Sequence, residues 1–151
     1  MTFYCVNCFA ELASDDRACP RCGVEQQLDG RDYPAKLRKA LKHPLAETRR
    51  RAIFVLGEKR VAEAVRDLAE LADHEDDPFL VEEAAIALGK IRNEESLAAL
   101  AHAAHHKSFS VRARAIEALA RAGGAWRKIA LDIAEHDPSA TVRESVRCRN
   151  D

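Results

Sequence analysis

The sequence predicts an all-α solenoid of about four helix pairs behind a small cysteine-rich module. Four of the five cysteines lie within the first 22 residues, and the rest of the chain is rich in the helix formers Ala, Leu, Arg and Glu. A ten-residue apolar pattern also recurs at steps of 31 or 32 residues from Thr48 onward. We expect a module over residues 1–24, a polar linker over 25–31 and a helical region over 32–151.

The module contains two Cys-x-x-Cys pairs, Cys5 with Cys8 and Cys19 with Cys22, separated by ten residues. Two thiolates spaced in this way can chelate one ion from a tight turn, and the second pair completes a tetrahedral, all-sulfur shell suited to zinc. Gly23 can adopt the positive φ that turns backbone N–H groups toward the sulfurs. Because thiolates fill all four positions, we predict one structural Zn²⁺ and no open site for catalysis.

Two disulfides or an iron centre are the alternatives for these cysteines. The sequence has no apolar run near 18 residues and no basic-then-apolar leader, so we expect no membrane span, no signal peptide and a cytoplasmic location. In that reducing compartment, paired cysteines are more often metal ligands than disulfides. A module of about 22 residues buries little, so metal binding should supply most of its folding free energy.

The opening segment resembles the short zinc-ribbon domain found at the start of many bacterial and archaeal proteins. That domain usually has Cys-Pro-x-Cys-Gly in both knuckles. The second knuckle, from Cys19 to Gly23, matches this form, whereas the first has Val6 and Phe9 where Pro and Gly are expected. The resemblance implies that all four cysteines bind zinc.

Each copy of the ten-residue pattern typically has an apolar residue at its first, fifth, eighth and ninth positions, which lie on one helix face. A period of 31 or 32 residues predicts a solenoid. The copies are TRRRAIFVLG from Thr48, LVEEAAIALG from Leu80, VRARAIEALA from Val111 and VRESVRCRND from Val142. We expect a first helix before each copy, over Tyr33–Lys42, Val61–Ala72, Glu94–His105 and Ala125–Glu135. Polar Arg147, Arg149 and Asn150 in the last copy suit a terminal cap.

This pattern resembles HEAT repeats, in particular the phycobilisome-lyase-like subclass, whose second helix reads V-R-x-x-A-A-x-A-L-G after an acidic loop residue. The resemblance implies a right-handed solenoid in which the Arg after the first Val pairs with the loop acid. Asp137 and Arg143 fit that pairing, whereas His43 and His106 stand where the acid is expected. It also implies a structural role for the arginines.

The sequence predicts a protein that is not an enzyme and has no small-molecule substrate. Deoxyhypusine hydroxylase, a HEAT enzyme, binds two irons through His-Glu pairs inside the second-helix motif. The matching positions here hold Arg50-Arg51, Glu82-Glu83, Ala113-Arg114 and Glu144-Ser145. No phosphate loop or nucleophile motif is present, and the lone Cys148 is expected to be an incidental thiol.

The histidines follow the repeat, because His74, His105 and His136 each lie six residues before a second-helix motif. We expect them to end helices, where imidazole suits the negative end of the dipole. His102, His105 and His106 also have the i, i+3, i+4 spacing of a metal chelate, which is a weaker hypothesis because no carboxylate lies nearby in sequence.

The seventh motif position lies about 200° from the centre of the apolar face and should point to solvent. It holds Phe54 and Ile86 in adjacent repeats. Our first hypothesis is a scaffold or adaptor that binds a protein or peptide in the concave groove, anchored by these two side chains, with Arg50 and Glu82 giving specificity. The alternative is that a neighbouring helix or the ribbon covers them.

Our second hypothesis is nucleic-acid binding. Residues 31–60 carry ten lysines and arginines against three acids, a net charge of +7. The candidate phosphate contacts are Lys36, Arg38, Lys39, Arg49, Arg50 and Arg51. Residues 61–100 have a net charge of −8 and aromatic residues are few, so this hypothesis ranks second.

Overall fold

Eight α-helices in succession make up most of the described chain. The computed structural model describes residues 3–5, 7–8, 10–13, 16–25 and 33–146. The helices are α1 (Tyr33–Ala40), α2 (Ala46–Glu58), α3 (Val65–His74), α4 (Pro78–Ile91), α5 (Glu94–Ala103), α6 (Phe109–Ala122), α7 (Gly124–Glu135) and α8 (Ala140–Ser145). A 3-10 helix over Ala62–Ala64 precedes α3. The predicted terminal cap at Arg147, Arg149 and Asn150 lies outside the described residues.

The helices form two layers. The second helices pack in series, α2 on α4, α4 on α6 and α6 on α8, and the first helices follow in the same order, with α3 on α5 and α5 on α7. Each first helix also packs on the second helix of its own pair. This arrangement confirms the predicted all-helical solenoid of four helix pairs.

The apolar face predicted for the second helices forms the core. In α4, Leu80, Ala84, Ala87 and Leu88 are all buried, as the motif predicts. At the same motif positions of α6, Val111, Ala115 and Leu119 are buried and Ala118 is partly buried. Since burying one Leu or Val side chain contributes about 1.5–3 kcal/mol, the repeated motif supplies much of the stability of the helical region.

Two glycines allow the second helices to approach closely. A Cβ added at Gly57 in α2 would lie 2.8 Å from the Cα of Ala87 in α4. One added at Gly89 in α4 would lie 2.8 Å from the Cβ of Ala118 in α6. Real Cβ atoms do not come this close, so the spacing of the second-helix layer depends on the absence of side chains at these two positions.

The loop before each second helix is shaped by one side chain. In every repeat this side chain accepts a hydrogen bond from the backbone N–H two residues later, at 2.8–3.1 Å. The acceptors are the Nδ1 atoms of His43 and His106 and the carboxylates of Glu75 and Asp137. The two histidines at the acid position therefore accept the same loop hydrogen bond as the two acids.

The predicted ion pair between Asp137 and Arg143 is wrong, because the Asp137 carboxylate binds a different arginine. The Asp137 carboxylate accepts hydrogen bonds from Arg112 of the preceding repeat, at 2.7 and 3.0 Å. Arg143 donates instead to the backbone carbonyls of Asp137 and Pro138. The pairing therefore runs between repeats, because the loop carboxylate also lies beside the start of the previous second helix.

Arg49 and Glu75 form the same inter-repeat pair at 2.9 Å. The matching positions of the middle joint hold Val81 and His106, so the cation and the acid are both replaced there. The structural role predicted for these arginines is confirmed for Arg49 and Arg112.

Substitution of Gly89 by Ala should lower the free energy of unfolding by about 1–3 kcal/mol, because the new methyl group overpacks the contact with Ala118. This loss outweighs the gain in helix propensity, which is about 1 kcal/mol. Chemical denaturation of Gly89→Ala, Ala118→Gly and the double variant measures the effect. We expect a smaller cost of Gly89→Ala in the Ala118→Gly background; an equal cost in both backgrounds would contradict the close approach.

Candidate metal centre and binding groove

The first cysteine pair lies in a turn between two short strands. Strand β1 (Phe3–Tyr4) pairs antiparallel with β2 (Glu11–Leu12). The N–H of Cys5 donates to the carbonyl of Ala10 at 2.9 Å, which continues the pairing into the turn. This hairpin places the Cys5 and Cys8 sulfurs on the same side of the turn.

The second cysteine pair lies in an equivalent turn. Ala18 and Glu25 form an antiparallel bridge, and the N–H of Cys19 donates to the carbonyl of Val24 at 2.9 Å. Gly23 has a φ of +72°, and its N–H donates to the carbonyl of Cys19 at 2.8 Å. The positive φ predicted for this glycine is confirmed, and it closes the turn around the second pair.

The four sulfurs converge. The distances from Cys5 to Cys22 and from Cys8 to Cys19 are both 3.5 Å between Sγ atoms, and all four sulfurs lie within 4.8 Å of one another. A tetrahedral zinc site with bonds of about 2.3 Å requires sulfurs about 3.8 Å apart. A disulfide requires about 2.05 Å, and all four cysteines are free thiols. The cluster can therefore bind a metal ion such as zinc.

Backbone donors favour negative charge on the cluster. Burial raises the pKa of the Cys5 thiol, but the N–H groups of Cys8 and Asn7 donate to its sulfur and lower that pKa to about 6. The N–H of Ala10 lowers the pKa of Cys8, but desolvation and the three other sulfurs raise it to about 12. Four thiolates so close together repel one another, and a divalent cation is the group that would stabilise all of them.

The cysteine module has a small core of its own. Cys5, Leu12 and Cys19 are buried together, with Cys8 and Ala10 packed against them. These residues are a separate cluster from the buried residues of the helices. The described residues of the module bury few apolar side chains, so a bound metal ion would supply most of its folding free energy.

Among the described residues, only the four cysteines bring three or more potential ligand atoms within 4.8 Å of one another. His102, His105 and His106 do not form such a group; the Nδ1 atom of His102 lies 3.1 Å from the carboxylate of Asp73. His136 ends α7, where a hydrogen bond to the carbonyl of Asp132 and the charge of that residue raise its pKa. The interpretation of His136 as a helix-ending residue is confirmed.

A groove of about 520 Å³ lies between α2 and α4, and we call it the α2–α4 groove. Its apolar lining is Phe54, Val55 and Ile86. The Phe54 side chain is 53% exposed, and the Nζ of Lys90 lies 5.0 Å from its ring centroid. Ile86 is partly buried beside it. The two anchor residues predicted from the motif thus share one surface depression.

Charged side chains border the α2–α4 groove on both helices. Arg50 and Arg51 of α2 line it, and each approaches Glu47, at 3.9 and 3.4 Å respectively. Glu83 of α4 lines the groove, whereas the predicted specificity residue Glu82 lies 3.9 Å from Arg114 of α6. Residue 83 was not singled out from the sequence, although the motif places it next to Glu82.

Most of the predicted phosphate-binding residues are engaged within the protein. Arg38 pairs with Asp67, and Arg49 pairs with Glu75. Arg50 and Arg51 share Glu47, Lys36 lines a cavity beside the first helix pair, and Lys39 is exposed on α1. These ion pairs reduce the positive charge that the basic segment can offer to a polyanion.

The fold and the sulfur cluster define the class of this protein as an α-solenoid with an N-terminal four-cysteine cluster. A family profile described as HEAT repeats matches residues 34–120 and, in an overlapping second match, residues 82–147. The chain belongs to the HEAT-repeat family. A search of curated proteins finds no significant match. In the part of the chain that the structure describes, no helix is both long and apolar enough to cross a bilayer.

The purified chain should contain one zinc ion, and Cys22→Ser should lose most of it because one of four ligands is removed. Cys148→Ser is the matched control, since it removes the one cysteine outside the cluster and should retain the metal. Elemental analysis gives the metal content. Retention of zinc by Cys22→Ser, or its loss from Cys148→Ser, would contradict the assignment of the ligands.

Acid should destabilise the protein partly through His106. Desolvation and the charge of Lys107 lower the pKa of this ring below its usual 6.5, so the unfolded chain takes up a proton first. The contribution of His106 is therefore complete above pH 6.5 and declines as the pH falls toward the lower folded value. Protonation of Nδ1 would also break the hydrogen bond from the Ser108 N–H.

His106→Asn keeps an acceptor but does not titrate, so its melting temperature should fall less than that of the wild type between pH 7.5 and pH 5.5 (about one unit either side of the ordinary histidine pKa). His136→Asn is a control that should behave in the opposite way. The raised pKa of His136 stabilises the folded state as the pH falls, so the melting temperature of this variant should fall more than that of the wild type. Loss of metal in acid is common to all three proteins. An identical fall for His106→Asn and wild type would refute the role of His106.

Proposed function

We propose that this protein is a non-catalytic adaptor that binds a protein or peptide partner in the α2–α4 groove and carries one structural zinc ion. The observation that supports this most directly is the half-exposed Phe54 ring above Val55 and Ile86. Exposed aromatic side chains beside a depression are typical anchors of protein interfaces. HEAT repeats typically serve as scaffolds for protein interactions.

The composition of the groove favours a peptide or helix with mixed polarity. Its apolar centre suits an apolar side chain of the partner. Its borders carry both signs of charge on each helix, with Glu47, Arg50 and Arg51 on α2 and Glu83 and Lys90 on α4. The volume is in the range that can enclose a few side chains. In this proposal Arg50 and Glu83 select the orientation of the partner, and Glu82 acts from the adjacent surface.

A structural and not a catalytic metal is the consistent choice for the cysteine cluster. Four protein sulfurs fill a tetrahedral shell, so water and substrate have no position on the ion. We also propose a cytoplasmic location, since reduced cysteine pairs persist in that compartment. The closer resemblances to phycobilisome-lyase-like repeats and to short zinc ribbons stay predictions.

The double variant Phe54→Ala with Ile86→Ala should weaken partner binding at least about a hundredfold, because anchor residues commonly contribute about 2 kcal/mol or more each. Phe79→Ala is the matched control: this ring is also exposed, at the start of α4, but does not line the groove. Quantitative pull-down from the host, followed by titration of the enriched partner, measures the effect.

Circular dichroism checks that the double variant retains its helices. Equal capture by wild type and double variant would remove the proposal. Fluorescence anisotropy with labelled oligonucleotides, at low and at high salt, tests nucleic-acid binding by the same proteins. Tight, salt-sensitive binding that survives in the double variant would support the nucleic-acid hypothesis against the adaptor.

A further inference from the structure

An apolar cavity of about 280 Å³ lies at the end of the solenoid, beside the first helix pair. Its apolar walls include Tyr33 and Leu37 of α1, Val55 of α2 and Leu45, which directly precedes α2. Cys5 lines the same cavity. The cysteine cluster and the first repeat therefore both line this cavity, although their buried cores are separate.

The end of a solenoid has a packing requirement that its middle lacks. An internal helix pair is covered on both sides by its neighbours, whereas a first pair is covered on one side only, so terminal apolar surface needs a cap. At this end the Leu45 side chain is 61% exposed, and Tyr33 and Val55 are partly buried. These exposures are those of the chain with the cysteine module present, so part of the apolar surface of the first repeat stays exposed beside the module.

We propose that the metal-bound cysteine module is the N-terminal cap of the solenoid. In this proposal the module docks on the apolar end of α1 and α2 through Cys5, which lines the cavity. This inference does not rest on the adaptor function. Val55 lines both the cavity and the α2–α4 groove, but Leu45 lines only the cavity, and Phe54 and Ile86 line only the groove.

The connection between the two parts favours this occupant over a separate protein. Seven residues separate Glu25 from Tyr33, and a chain of that length spans at most about 28 Å. Tyr33 itself lines the cavity, so the module is held beside the surface by its own tether. A short tether gives an effective concentration of about a millimolar, and a small interface then suffices for docking.

The cap should depend on the metal. Among the described residues of the module, the buried side chains are Cys5, Leu12 and Cys19, and this is too little apolar burial to hold the shape of the module without an ion. Removing the metal would therefore unfold the cap and uncover the end of the solenoid. The first repeat should lose protection from hydrogen exchange while distant repeats keep theirs.

Hydrogen exchange of the full-length chain tests this, with zinc bound and after chelation. We expect amides of α1 and of the first turns of α2 to exchange about tenfold faster or more without metal, because local opening there becomes easier. Amides of α7, at the other end, serve as the internal reference and should not change. Unchanged exchange in α1 and α2 would overturn the proposal.

A charged residue introduced at the proposed contact distinguishes loss of the cap from an unrelated effect of chelation on the helices. Leu45→Asp should still bind zinc, but α1 should exchange fast with or without the metal, because the module cannot dock over a carboxylate. Phe79→Asp, at a more exposed site outside the cavity, should respond to chelation like the wild type. Leu45→Ser replaces the Asp variant if that variant does not fold.

The same chelation response in Leu45→Asp or Leu45→Ser as in the wild type would refute the cap. The Phe54→Ala, Ile86→Ala double variant should keep the wild-type response. Failure of the adaptor proposal and failure of the cap are therefore read out on different variants.

Discussion

The close approach of successive second helices determines the geometry of the rest of the molecule. Gly57 faces Ala87 and Gly89 faces Ala118 at distances that leave no space for a further methyl group. This spacing brings Phe54 of α2 and Ile86 of α4 into one depression. It also brings the loop carboxylate of one repeat beside the arginine of the previous one, as in Arg112 and Asp137. The α2–α4 groove and the ion pairs between repeats therefore both depend on the distance between successive second helices.

The sequence predicts the elements well because their signals are local. Apolar residues at helical spacing predict the buried face of α4. An Asp-Pro pair is typical of a helix start, and α4 begins at Pro78, where the Asp77 side chain accepts a hydrogen bond from the Phe79 N–H. The two cysteine pairs predict the sulfur cluster for the same reason, since ligand spacing within a turn is a property of a few residues.

What the sequence does not predict depends on the offset between repeats. Periodicity along one helix does not say which neighbour a side chain meets, so Arg143 was assigned the carboxylate that Arg112 binds. For the same reason Glu82 was chosen where Glu83 lines the groove. The shared role of His43, Glu75, His106 and Asp137 was detectable, because these residues align at steps of 31 or 32, but their common hydrogen bond is visible only in three dimensions.

The side-chain acceptor in each loop has a consequence for how such a chain can change length. Every repeat has its own loop acceptor, and successive second helices pack on one another in the same way. A unit duplicated or deleted between two of these loops would therefore dock on its neighbours without new kinds of contact. Gene duplication in steps of one repeat would lengthen the helical surface while leaving the cysteine cluster unchanged.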